Sequence, residues 1–186
     1  MMQLEIRELT PDQWPALEDL FDTTGPVGRC WCMYWRVGAA YRRREPSENR
    51  QDLHDVVFDG PPPGILAFDG DLAVGWCQLT PRRTLSALDE DRRFPRVDDS
   101  CVASISCLYV RTGYRRQGVT AALVEAAVEH ARRRGWEVVE AYPLDAEHST
   151  SATHTGYATT FERAGFVTVA RPTPSRPIMR LYLAGP

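Results

Sequence analysis

The chain has 186 residues, 43% hydrophobic and 25% charged, with a formal net charge of −3. That is the composition of a globular protein with one full core. It leaves no broad basic field for nucleic acid and no polybasic membrane anchor. No apolar run nears the ~20 residues that span a bilayer, and the N-terminus does not read as a signal peptide, so a single cytoplasmic domain over residues 1–186 is expected.

Taken in chain order, Leu4–Leu9 alternates as a strand. Thr10-Pro11-Asp12-Gln13 reads as a helix start with a capping box, followed by Trp14, Leu17, Leu20 and Phe21 on one face. "GPVGRCWCMYWRVG" (25–38) is too glycine-rich to assign and unusually aromatic. A second helix is expected over about 46–58, stopped by "GPPPG". A hairpin follows, 65–68 and 72–79 around Asp69-Gly70-Asp71, and 82–99 reads as an exposed connection. "CVASISCLYV" (101–110) is a buried-looking strand. It runs into "YRRQGVTAALVEAAVEH" (114–130), a helix that Gly135 stops. A strand at 136–142, a helix at about 152–164 and strands at 166–171 and 178–183 complete the chain.

Five cysteines and no export signal predict free thiols. Cys30 and Cys32 lack a second pair at zinc-like spacing, so no metal site is expected. Cys101 and Cys107 read as small core residues.

The chemistry concentrates at the start of the long helix. Arg115 and Arg116 add positive charge where a helix already exposes N–H groups and a partial positive charge, which is unfavourable unless an anion sits there. Gly118 lets backbone amides approach such a ligand closely. The glycine-rich dinucleotide and P-loop fingerprints do not fit, because their other glycines and the P-loop lysine are absent.

At these residues the sequence resembles the GNAT superfamily of acyl-CoA-dependent N-acyltransferases. Its central motif is a hydrophobic strand, a short loop, then (R/Q)-x-x-G-x-(G/A) opening a helix. Arg115 fills the first position and Gly118 the fourth, while Thr120 stands where Gly or Ala is usual. "FERAGF" (161–166) resembles the family's Y-x-K-x-G-F element, and the likeness covers nearly the whole chain. It implies an α+β fold: a mostly antiparallel, centrally splayed sheet of about six or seven strands with about four helices.

The resemblance also implies acetyl-CoA as cosubstrate. The backbone of Leu108, Tyr109 and Val110 would pair with the pantetheine arm. Arg115, Arg116, Gln117, Gly118, Val119 and Thr120 would hold the pyrophosphate, Gln117 and Val119 through main chain. The thioester would lie where strands 101–110 and 136–142 part. Two family positions depart. Phe161, counted with the cofactor-contacting positions, stands where many relatives have an acid tyrosine, and Ser104 where many have a carboxylate.

Tyr157, one helical turn before Phe161, is then the candidate acid, against a packing role. Glu140 is the candidate base, against a solvent-facing strand residue. His148 and His154 read as exposed loop residues. Trp31 and Tyr34, with Trp35, either wall an amine site by cation–π and apolar contact or belong to the core. The leading function is acetyl transfer to the primary amine of a small molecule. Transfer to protein N-termini or lysines, and a non-catalytic acyl-CoA sensor, stay open. Sequence alone gives neither the acceptor nor the oligomeric state.

Overall fold

The computed structural model describes residues 3–22, 25–145 and 154–183. The elements in order are β1 (Glu5–Glu8), α1 (Trp14–Phe21), α2 (Pro26–Cys30), α3 (Tyr34–Val37), α4 (Pro46–Asp59), β2 (Gly64–Asp69), β3 (Leu72–Pro81) and α5 (Ser86–Asp89). Then follow β4 (Val102–Val110), α6 (Val119–Arg133), β5 (Val138–Ala141), α7 (Ala158–Arg163), β6 (Val167–Thr173) and β7 (Arg176–Tyr182). The four expected helices are present. The additional short ones are α2 and α3, inside the aromatic segment, and α5, inside 82–99.

Among the described residues seven strands form one sheet in the order β1-β2-β3-β4-β5-β7-β6. All neighbours are antiparallel except β4 and β5. The sheet is thus mixed and mostly antiparallel, as the sequence implies. α6 crosses between the two parallel strands and packs its Leu123, Val124, Ala127 and Ala131 face on the sheet. That approach depends on Gly75 of β3. A side-chain carbon there would meet Val119 at 2.8 Å and Leu123 at 2.9 Å, closer than packed atoms tolerate. On the opposite side Leu17, Leu20 and Phe21 of α1 and Leu53 and Val57 of α4 pack around Trp76.

Three local expectations change. Thr10 caps no backbone amide; its hydroxyl donates to Asp12, and a 3-10 turn (Pro11–Gln13) precedes α1. A proline at 15 in the first turn of α1 explains the late start. Segment 82–99 is exposed over much of its length, as expected, but not throughout: Leu85, Leu88 and Phe94 are buried beside Trp35 and Tyr142. α7 begins only at Ala158; residues 152 and 153 of the expected helix lie outside the described residues.

Candidate acyl-transfer site

Strand β4 sets the geometry of the site. Its pairing with β5 runs from Val102↔Val138 to Ile105↔Ala141 and ends there. On its other side, Gln78 pairs with Cys107 and Leu79 with Ile105, so Ser106 is an extra residue, a β-bulge. Bulges bend a strand and re-aim its side chains. Loss of one neighbour and a bend at the same residue open a fork between β4 and β5.

A cavity of about 330 Å³ lies against this bend. Ser106 and Cys107 line it from β4, Tyr34 and Trp35 from α3, and Phe94 from the segment after α5. His154, Thr155 and Arg176 line it from the far side of the fork, and Arg42 and Arg93 are also among its walls. The aromatic wall is held by edge-to-face contacts, Tyr34–Trp35 at 4.6 Å and Trp35–Phe94 at 5.5 Å. The Trp35 indole N–H donates to the Ser106 carbonyl at 2.9 Å, tying the wall to the bulge. The Ser106 hydroxyl donates to the Gln78 side chain at 2.9 Å.

Among the aromatic candidates, the structure separates the two named from sequence. Tyr34 lines the cavity, and its hydroxyl accepts from Arg93 Nη2 at 3.0 Å. Trp31 does not line it. It stacks on Trp14 at 5.9 Å and meets Phe21 edge-on at 5.4 Å, within the core over α1. A left-handed backbone, φ 49° at Trp31 and 54° at Cys32, turns the chain between these two environments. Periodicity carries no signal for such a turn at non-glycine residues.

The cysteines are all free. Cys107 is buried and accepts the Cys32 thiol at 2.9 Å, whereas Cys101, expected inside, is exposed. Burial raises the Cys32 thiol well above its usual range and pushes Cys30 up to about 11. Both are thiols at neutral pH, which disfavours them as nucleophiles.

The proposed acid and base fall away from this cavity. Tyr157 is the residue before α7, with extended backbone (φ −106°, ψ 144°), and is 40% exposed. Because it precedes the helix, it shares no helical face with Phe161, which is buried against Phe166 at 5.2 Å. Glu140 is fully buried in β5. Its Oε1 accepts from Arg82 Nη1 at 2.8 Å and from the Tyr142 hydroxyl at 2.6 Å, and its Oε2 accepts from Arg180 Nε at 2.7 Å. Desolvation pulls the Arg82 pKa down, but Tyr142 and Glu140 outweigh it and the value stands above the ordinary one. Ser104 joins through its hydroxyl, 2.9 Å from that of Tyr142. A carboxylate held by three donors and absent from the cavity lining is placed as structure.

His154, read from sequence as an exposed loop residue, is exposed, and it also borders the cavity. Its ring stacks over Tyr109 at 6.4 Å and its carbonyl accepts the Leu108 N–H at 2.5 Å. Desolvation, then the positive charge of Arg115, lower its pKa from the ordinary 6.5. Its neutral, proton-accepting form is therefore favoured at neutral pH. Sequence gave no signal for it, because its position depends on how β4 and the segment before α7 meet. His148 lies outside the described residues.

A second cavity, of about 310 Å³, sits at the other end of the fork. Val110, Arg116, Gly118 and Thr120 line it, with Arg163 from α7, a cation that motif reading did not include, and Glu125 one turn into α6. Gly118 caps α6 at φ 84°, and nothing lies within 4 Å of where its side chain would start. Arg116 is left-handed too, at φ 61°. The free N–H groups of the helix start, an open glycine and two guanidiniums fit a pyrophosphate. Val119 also lines this cavity while its side chain packs in the core, Gln117 Nε2 donates to the Gly113 carbonyl at 2.7 Å, and Arg115 Nε donates to the Val110 carbonyl at 3.3 Å. Those bonds hold the loop. From Cys107 to Val110, β4 spans roughly 10 Å between the two cavities. The Leu108 N–H is taken by His154 and the Tyr109 backbone lies opposite Trp76 of β3.

A forked sheet of this order, with an arginine- and glycine-lined cavity at one end of the fork and a small aromatic cavity at the other, defines a class. The sequence model of the acetyltransferase (GNAT) family matches residues 14–154. The chain belongs to that family. It is an acyl-CoA-dependent acetyltransferase with acetyl-CoA as cosubstrate. Among curated proteins no sequence matches it significantly.

Solved structures share the fold. The GNAT domain of S. lividans PAT is 17% identical, with a TM-score of 0.60 over 97% of this chain and 90% of that one. The PaiA N-acetyltransferase of Thermoplasma acidophilum, in complex with coenzyme A, is 14% identical, with a TM-score of 0.56 over 98% and 100%. An aminoglycoside N(6')acetyltransferase of Legionella pneumophila is 14% identical, with a TM-score of 0.52 over 98% and 93%. Likeness at these identities carries the fold alone. Among the described residues no helix is long and apolar enough to cross a membrane.

Proposed function

We propose that the protein transfers the acetyl group of acetyl-CoA directly to a primary amine of a small molecule held in the cavity beside the Ser106 bulge. The observation that carries this reading is the cavity itself. At about 330 Å³, with one aromatic wall, it has the size of a small-ligand site and not of a groove for a protein segment. Acetyl-CoA supplies an acetyl group activated as a thioester. The acceptor nitrogen gains the bond to the carbonyl carbon as the carbon–sulfur bond breaks and its electron pair leaves with sulfur. The nitrogen's proton passes to a base, and the thiolate takes one from solvent.

The chain's own residues position and deprotonate. Arg116, Gly118, Thr120 and the start of α6 anchor the phosphates. Tyr34 and Trp35 orient the acceptor. His154 is the proton acceptor best placed at the cavity, ahead of Glu140, whose oxygens are committed, and of Tyr157, which stands outside the lining. Release of free CoA across small amines and peptides tests the reading. Small amines are expected to turn over. Turnover of peptides alone would move the acceptor to proteins, and acetyl-CoA binding with no turnover on any amine would leave the sensor reading.

A further inference from the structure

We propose that the acceptor carries a carboxylate as well as its amine, on an aromatic or bulky apolar skeleton, and that Arg176 and Arg93 hold the carboxylate. This rests on the acetyl-transfer reading above and names the substrate class for the same cavity.

Three guanidiniums, those of Arg42, Arg93 and Arg176, line the cavity, and none of its described lining residues is acidic. A bare amine enters as an ammonium ion. The walls would repel it, with no carboxylate among the described lining residues to receive it. An acceptor with its own carboxylate reverses that balance, because the anion is drawn to the arginines while the amine faces the fork.

Two of the arginines are built into place. Arg93 is clamped by Asp91 (Nη2 to Oδ2, 2.6 Å) and also donates to the Tyr34 hydroxyl at 3.0 Å. Arg176, half-buried at the start of β7, donates from Nη1 to the Thr155 hydroxyl at 2.8 Å. Desolvation first, and Arg93 second, lower the Arg176 pKa, so the two cations feel one another across a partly dry space. Like charges so placed favour an anion between them, and a guanidinium fork matches a carboxylate in two hydrogen bonds. The apolar body of the acceptor has Tyr34, Trp35 and Phe94 to lie against. The carboxylate makes and breaks no bond in the transfer.

The test compares molecules that differ only by the carboxylate: tryptophan with tryptamine, and tyrosine with tyramine. N-acetyl product and free CoA are measured with the full chain. Binding of N-acetyltryptophan and N-acetyltryptamine to the protein alone is measured by calorimetry. The carboxylated partner should lead in kcat/KM and in affinity by about 10- to 100-fold, the worth of a charge-assisted contact. Arg176→Gln should abolish that lead while the affinity for acetyl-CoA holds. Should that variant fail to fold, Arg93→Gln, on an exposed side chain, makes the same comparison. Equal or better use of the decarboxylated amines overturns this proposal and leaves acetyl transfer to small amines standing, as does an equal loss for both partners in the variant. No transfer to any of the four, with acetyl-CoA still bound, overturns both.

Discussion

The two halves of β4 differ in almost everything except sequence character. From Val102 to Ile105 the strand is paired on both sides and lies over the buried set of Ser104, Tyr142, Glu140, Arg82 and Arg180. From Ser106 to Val110 it keeps only β3 as a strand neighbour, and a ligand-sized cavity opens at each end. Charge is paired inside a buried network in the first half, whereas in the second Arg93, itself held by Asp91, and Arg176 also line a cavity. A carboxylate and two arginines can therefore be scaffold at one end of a strand, while arginines around the other end are the proposed binding groups. What separates them is whether the side chain also borders open space.

The comparison breaks most visibly at Glu140. Removing one member of a buried ion network leaves uncompensated charge and costs about 3–5 kcal/mol. Glu140→Ala should lower Tm by roughly 6–20 °C for a chain of this size, read by calorimetry. A stable Glu140→Gln protein with kcat reduced ~10²-fold would instead make Glu140 a base and erase the distinction.

The aromatic segment contains the same contrast within a few residues. Trp31→Ala should cost about 3–5 kcal/mol of stability, since it empties a place among Trp14 and Phe21. The acceptor KM of what remains folded should hold. Tyr34→Ala should raise the acceptor KM with a much smaller loss of stability. Exchange of these two outcomes would put the cavity wall at Trp31.

Much of this was legible in the sequence, and the missing part has one physical character. The strand–loop–helix unit from Val102 to Arg133 could be read because apolar spacing and Gly118 are local facts. So could the four longer helical segments and the arginines at the start of α6. The bulge at Ser106, the burial of Glu140 and the place of His154 are not local. Each depends on a strand or segment distant in the chain, and alternation cannot tell a buried ion pair from a solvent-facing glutamate. Segment 82–99 misled for the same reason. Most of its charges are exposed, as they look in sequence, yet Arg82 is buried because Glu140 receives it.

His154 sharpens the open half. A neutral histidine accepts the amine's proton, and protonation removes that capacity, so kcat/KM should fall as pH drops through its pKa. Desolvation and the charge of Arg115 hold that pKa below the ordinary 6.5, and the acid limb should lie below this value. His154→Gln should remove the limb and lower kcat about 10²-fold, with acetyl-CoA affinity unchanged. A limb that persists in the variant belongs to another group.

At the phosphate end, Arg116→Ala should weaken acetyl-CoA binding by about 10- to 100-fold, from the loss of a charge-assisted contact. Gly118→Val should do the same for a different reason. Its φ of 84° disfavours a branched side chain even though the protein leaves room for one, and the side chain would stand where phosphate approaches. Unchanged affinity in both folded variants would remove this loop from the cosubstrate site.

The smallest effect is expected at Tyr157, where the sequence suggested an acid. The residue precedes α7, so the four-residue spacing to Phe161 is not a helical turn and does not bring its hydroxyl to the position the family tyrosine would occupy. Its side chain is 40% exposed and does not line the cavity. Tyr157→Phe should therefore change stability by no more than about 0.5 kcal/mol and leave kcat close to that of the parent. A loss of 10² or more in kcat, with acetyl-CoA affinity intact, would show that the leaving thiolate draws its proton from this hydroxyl. The segment before α7 would then have to move across the fork during turnover, because the His154 carbonyl that holds Leu108 belongs to that same segment.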